Sequence, residues 1–162
     1  MTGVTEMAFY GILPVKGWAR RLARGVGAGA ALIAAAGCMM MSNGTARPAA
    51  SAFGMGPRVS SGGRYTATIE APEPLRVRQM QRVRVNLRTA GGAPVDGARI
   101  TIDGGMPQHG HGLPTAPRVT RGLGGGAYQV EGLKFNMGGW WELRFRIAAP
   151  AGTDSVTFNL DL

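Results

Sequence analysis

From Tyr65 onward the chain breaks into short runs in which apolar and polar positions alternate, with turn residues standing between the runs. The clearest is Gln79 to Thr89, where Val83, Val85 and Leu87 fall on one face and Arg82, Arg84, Asn86 and Arg88 on the other. Successive side chains of an extended chain point to opposite faces, so a period of two predicts a half-buried antiparallel strand. The same pattern predicts strands over Tyr65–Glu70, Ala98–Asp103, Pro117–Thr120, Ala127–Leu133, Gly139–Ala148 and Ser155–Leu160. In Gly139–Ala148 the inward set is Trp141, Leu143, Phe145 and Ile147, opposite Trp140, Glu142, Arg144 and Arg146. Ile100, Ile102, Tyr128, Val130, Phe135, Val156 and Phe158 complete the expected core. Seven short strands separated by turn signals predict an all-β fold, an immunoglobulin-like antiparallel β-sandwich.

The first part of the chain has a different texture. Lys16 to Gly37 reads as a basic stretch followed by an apolar run of small residues that stops at Cys38. That layout predicts a secretory signal over residues 1–38. The apolar run from Gly25 to Gly37 is shorter than the roughly 20 residues a membrane-crossing helix requires, which makes it a signal core rather than a permanent span. Ala35, Ala36 and Gly37 ahead of Cys38 resemble a bacterial lipobox, with Ala where Leu is preferred. Two outcomes stay open: lipid modification of Cys38, or ordinary cleavage nearby that leaves a soluble periplasmic protein. Residues 39–63, rich in Gly, Ser, Ala and Pro, read as a flexible tether, and residues 64–162 as the sandwich domain. The expected location is the bacterial envelope, facing the periplasm and held to the membrane by a lipid anchor. Met39, where inner-membrane lipoproteins typically carry Asp, favours the outer membrane.

Charge and cysteine usage narrow the function classes. The formal net charge is +9, but the arginines are divided between the leader and the alternating strand faces. No Lys/Arg block interleaved with aromatic residues is present to follow a phosphate backbone and stack bases, so nucleic acid is not an expected partner. Cys38 is the sole cysteine, which rules out an intrachain disulfide. No serine, cysteine or histidine constellation for nucleophilic catalysis is visible, and the Gly122–Gly126 run precedes a strand rather than the helix a phosphate-binding loop needs. The expectation is a non-enzymatic protein.

The densest chemistry lies in Asp103 to Pro114, which holds both histidines of the chain, His109 and His111, with Met106 just upstream. Glycines and prolines make this a loop, and Gly110 permits the bend that would turn two imidazoles spaced two apart toward one ion. Imidazole suits copper, zinc and nickel, while thioether sulfur moves the preference toward Cu(I). Met106, His109, His111 and Met137, the last on a corner expected beside the loop, therefore form a candidate copper set. The alternative is a structural loop: histidines bonded to backbone, methionines filling the end of the sandwich, and the domain serving as an interaction module for an envelope complex.

Several of these segments, in this order, carry a resemblance: Val95–Ile102, Met106-Pro-Gln-His-Gly-His-Gly112, Gly126-Ala-Tyr128 and Phe135-Asn-Met-Gly-Gly-Trp-Trp-Glu-Leu143. Together they resemble the YtkA-like family, related to the FixH-like envelope proteins. The resemblance implies a small immunoglobulin-like β-sandwich in an exported protein, associated with copper handling or cytochrome oxidase assembly. Family members commonly carry a second methionine where this chain has His109.

Overall fold

A computed structural model describes residues 46–162 of the chain. The leader and Cys38 lie outside the described residues. The alternating runs form an all-β domain whose strands are β1 (Arg58–Val59), β2 (Tyr65–Glu70), β3 (Gln81–Thr89), β4 (Arg99–Met106), β5 (His111–Gly112), β6 (Arg118–Gly124), β7 (Ala127–Leu133), β8 (Trp140–Ala149) and β9 (Gly152–Asp161). All seven expected strands are present, β2 and β7 with the expected limits, and two further two-residue strands, β1 and β5, bring the total to nine. Neither short strand has room for an alternation, which is why the pattern passes over them.

Pairing is antiparallel throughout the named strands, in the order β1-β2-β3-β7-β6-β4-β8-β9, with β5 added to β4. A two-sheet immunoglobulin-like sandwich is not what the hydrogen bonding describes. The strands make one continuous sheet, bent so that its two halves face each other, and the seam between β6 and β4 is the single pair Thr101–Arg118. Facing side chains supply the cohesion that the seam lacks. Val83, Val85 and Leu87 of β3 and Tyr128 and Val130 of β7 belong to one buried cluster with Trp141, Leu143, Phe145 and Ile147 of β8 and with Val156 and Phe158 of β9. Burial of such side chains contributes about 1.5–3 kcal/mol each, which makes this cluster the main stabilising element.

Two expectations change. The first concerns the tether, whose described part is partly folded onto the sheet. Ala50–Ala52 form a 3-10 turn, Phe53 bridges to Asn159, the Gly54 N–H donates to the Asn159 carbonyl at 2.8 Å, and β1 pairs with β2. Arg47 pairs with Asp161 at 2.6 Å and stands 4.5 Å from the centre of the Phe53 ring. The second concerns Trp140, which points outward from β8 as its place in the alternation requires and is nevertheless buried. Phe53 covers it edge-on at 6.4 Å, and its Nε1 donates to Asn159 Oδ1 at 2.9 Å. An aromatic side chain on an outward position was the sign that something would cover it.

The turn between β1 and β2 is fastened to β9 by a buried carboxylate. Asp154 accepts from the Ser60 hydroxyl at 2.7 Å and from the backbone N–H groups of Gly62, Arg64 and Ser155. The Ser60 hydroxyl bond first, opposed by the cost of burial, and then these backbone donors together hold its carboxyl far below the ordinary carboxylate range. A depressed carboxyl stabilises the fold fully above its unfolded value, about pH 4, and the contribution is lost as pH falls toward the folded value. The Asp154→Asn variant is therefore expected to melt at lower temperature than the native chain at pH 7. The two melting curves should converge as the pH is taken well below about 4, as followed by circular dichroism; a constant gap across that window would contradict the assignment.

Candidate metal centre

Antiparallel register determines which loops meet. Glu70 pairs with Arg84, Gln81 with Leu133, Gly105 with Glu142 and Trp140 with Asp161. The β2–β3 link, the β4–β5 hairpin, the β7–β8 link and Leu162 therefore share one end of the domain, here termed the histidine end. Phe135 ties two of these links together, accepting the Arg78 N–H at 2.6 Å.

The hairpin begins where β4 is squeezed between two neighbours. A Cβ on Gly104 would stand 2.7 Å from the Glu142 carbonyl oxygen, and one on Gly105 2.7 Å from the His111 carbonyl oxygen. Only glycine permits both approaches. The Met106 carbonyl then accepts from the N–H groups of His109, at 3.1 Å, and Gly110, at 2.9 Å, and Gly110 takes a positive φ of 66°. This tight turn pairs His111 with Met106 and lifts both histidines to the surface. The imidazole rings lie 6.3 Å apart, centre to centre, with planes only 15° from parallel. Among the described residues neither imidazole has a hydrogen-bond partner, so the backbone-bonded alternative receives no support from the geometry.

Met106 and Met137 occupy different environments. Met106 is 1 % exposed and belongs to the buried cluster, with its methyl group 3.1 Å from where a Cβ on Gly139 would stand. It seats the hairpin against the β7–β8 link. That link is a crossover between the two halves of the sheet rather than the hairpin-like corner the sequence suggested, since β7 and β8 are not paired. Its Met137 carbonyl accepts from Trp141 Nε1 at 3.0 Å, and Phe135 packs edge-on against Trp141 at 5.2 Å. The Met137 side chain is 37 % exposed, on a backbone held by those contacts. His109, His111 and Met137 thus share one end, with Met106 below them. Cys38 lies outside the described residues.

The carboxylates nearest in register are otherwise engaged. Arg144 pairs with Asp103 at 2.9 Å and with Glu142 at 3.1 Å. The Arg144 hydrogen bond, reinforced by the Gly104 N–H, holds the Asp103 carboxyl below its ordinary range, and the same pairing raises the arginine. Among the described residues no three His, Cys, Asp or Glu side chains cluster as a metal-ligand set. Any ion at the histidine end would draw on two imidazoles together with a thioether, backbone or external donor. Imidazole–metal bonds of about 2.0–2.1 Å place two ring centres on one ion about 5–6 Å apart, close to the observed 6.3 Å.

Family comparison matches residues 61–146 to the YtkA-like family. The chain belongs to that family. No curated protein and no solved structure matches it. The YtkA-like match spans β2 to most of β8 and takes in the histidine hairpin, the crossover and Trp141. It stops short of β9, whose ten register pairs with β8 complete the core of this YtkA-like domain. Sequence reasoning missed the anchoring carboxylate Asp154, whereas the burial of Met106 agrees with the alternative in which a methionine fills the end of the fold. A hydrophobic-core reading of Met106 was available from its position at an inward place of β4, in step with Ile100, Ile102 and Gly104.

Met106→Ala should cost about 2–5 kcal/mol of unfolding free energy, the range for truncating a fully buried Met. His109→Ala and His111→Ala, on the exposed turn, should each stay within about 0.5 kcal/mol of the native chain. Denaturant titration checks both; a large loss in the histidine variants would return them to a structural role.

Proposed function

We propose that this chain is an exported, non-enzymatic envelope lipoprotein, anchored through Cys38, that binds copper at the histidine end. The observation that carries the reading is the pair of near-parallel, exposed imidazoles 6.3 Å apart on a glycine-tightened hairpin. His109 and His111 supply nitrogen donors and Met137 the thioether, a soft and neutral set that suits Cu(I). Zinc normally takes four ligands from histidine, cysteine and carboxylate. The two carboxylates beside the hairpin are already paired with Arg144, which argues against it. Met106 serves as the buried seat of the hairpin. An exposed two-imidazole site with few protein donors leaves coordination positions for a second molecule, which suits transfer of the ion to a copper-dependent envelope complex. The signal-like leader and the lipobox-like residues before Cys38 support export and anchoring.

Anaerobic titration with Cu(I) in competition with a chelator should give one ion per chain. The double variant His109→Ala/His111→Ala should lose binding by more than about a hundredfold, and Met137→Ala should weaken Cu(I) more than Cu(II), because a thioether is the soft donor. Undiminished stoichiometric copper in a folded double variant would refute the site. Mass spectrometry of the protein from envelope fractions tests the anchor: an unmodified Cys38, or a chain processed beyond it, would refute lipidation while leaving the metal reading intact.

A further inference from the structure

The outward face of β3, β7 and β6 takes no part in the histidine hairpin and carries an unusual charge arrangement. Arg82, Arg84 and Arg88 of β3 and Arg118 and Arg121 of β6 are exposed on it, against only two glutamates, Glu70 of β2 and Glu131 of β7. Cross-strand pairing sets Arg84 and Arg121 on either side of Gln129, with Arg118 opposite Glu131. The glutamates are engaged by neutral amides. Asn86 Nδ2 donates to Glu70 Oε1 at 2.8 Å, and Gln129 Nε2 donates to Glu131. Arg84 approaches Glu70 only to 3.7 Å, with both side chains 55 % exposed, a pairing that neutralises little in water. Arg82 and Arg118 have no acidic partner within 4.0 Å among the described residues. Beside Arg82 and Arg84 lies an open groove of about 480 Å³, bordered by Ala71, Pro72, Leu123 and Gln129.

We propose that this face docks the domain on an anionic bilayer, its guanidinium groups pairing with lipid phosphates. Residues facing the same way recur about every 6.7 Å along a strand, and β3 and β6 are two strand spacings, about 9.5 Å, apart. The arginines therefore form a grid on the scale of neighbouring headgroups, and the planar guanidinium matches phosphate oxygens with paired N–H donors. A protein partner is disfavoured because such interfaces centre on aromatic or large apolar anchors. Leu123, 38 % exposed, is the one large exposed apolar side chain on β3, β7 and β6 among the described residues; Val59 of β1 and Met80 just before β3 are exposed at the margin, and none of the three is aromatic. Nucleic acid is disfavoured because, among the described residues, no exposed aromatic platform accompanies the arginines. The inference depends neither on copper nor on the modification of Cys38.

The test uses the isotopically labelled full chain in neutral detergent micelles, undoped or doped with phosphatidylglycerol or phosphatidylcholine, so that any anchor is accommodated equally in every arm. At about 50 mM salt, phosphatidylglycerol should shift the backbone amide resonances of Arg82, Arg84, Arg118 and Arg121 at least fivefold more than those of Arg99 and Arg146 on the other half of the sheet. The shifts should collapse near 0.5 M salt, roughly, as screening shortens the reach of the charges. Phosphatidylcholine should leave all of them in place. Replacing the four arginines by Gln should abolish the response and replacing them by Lys should retain most of it. Equal shifts on both halves, an equal response to phosphatidylcholine, or the same shifts produced by polyglutamate at matched charge would overturn the proposal, the last in favour of an acidic protein partner.

Discussion

One backbone pair, Thr101 with Arg118, joins the two halves of the sheet, so the domain depends on what is buried between them. The dominant contribution is the facing of β3 and β7 against β8 and β9 through a cluster in which Leu87, Phe135, Trp141 and Phe158 are fully buried. Hydrophobic burial is non-directional, and the bulky aromatic groups make it specific: Phe145 meets Phe158 edge-on at 5.7 Å, and Phe135 meets Trp141 in the same way. The tyrosine hydroxyls at the margins of the core are satisfied in place. The Tyr128 hydroxyl donates to the Val95 carbonyl at 2.5 Å and accepts the Ala98 N–H at 2.9 Å, and the Tyr65 hydroxyl donates to the Gly152 carbonyl. Desolvation, opposed in part by the Ala98 N–H, raises the Tyr128 hydroxyl above its ordinary value, so it stays protonated and can serve as donor.

This core is the platform on which the histidine end stands. Met106 roots the hairpin in the buried cluster, Gly104 and Gly105 let three strands approach more closely than any side chain would allow, and Trp141 holds the crossover through the Met137 carbonyl. Rigid packing below and open water above is a suitable division for side chains that meet a ligand, since the scaffold loses little entropy when they do. The two proposed activities use different surfaces. Copper is assigned to the loops at one end, where soft donors gather, and bilayer contact to a strand face, where arginines repeat with the pleat.

The described part of the segment before β2 shows how an irregular stretch acquires order from tertiary contacts. Its composition is that of a tether, and nothing in it has a hydrophobic period. Yet Phe53 covers Trp140, Arg47 reaches Asp161, and the turn that follows is bonded to Asp154. Each of these contacts joins residues about 90 or more positions apart, a separation at which local pattern carries no information.

The seven principal strands, the buried faces of β3 and β8, and the grouping of Met106, His109 and His111 in one short segment were legible in the residues, because a period of two and a clustering of donors are local properties. The family motifs were legible for the same reason. What the sequence could not specify is everything settled by pairing partners: a continuous sheet with a single-pair seam in place of two separate sheets, the burial of the outward-pointing Trp140, and Asp154 as the anchor of a distant turn. Alternation states that a residue faces one side or the other; only the folded chain decides what lies opposite, since that depends on contacts between segments far apart along the backbone.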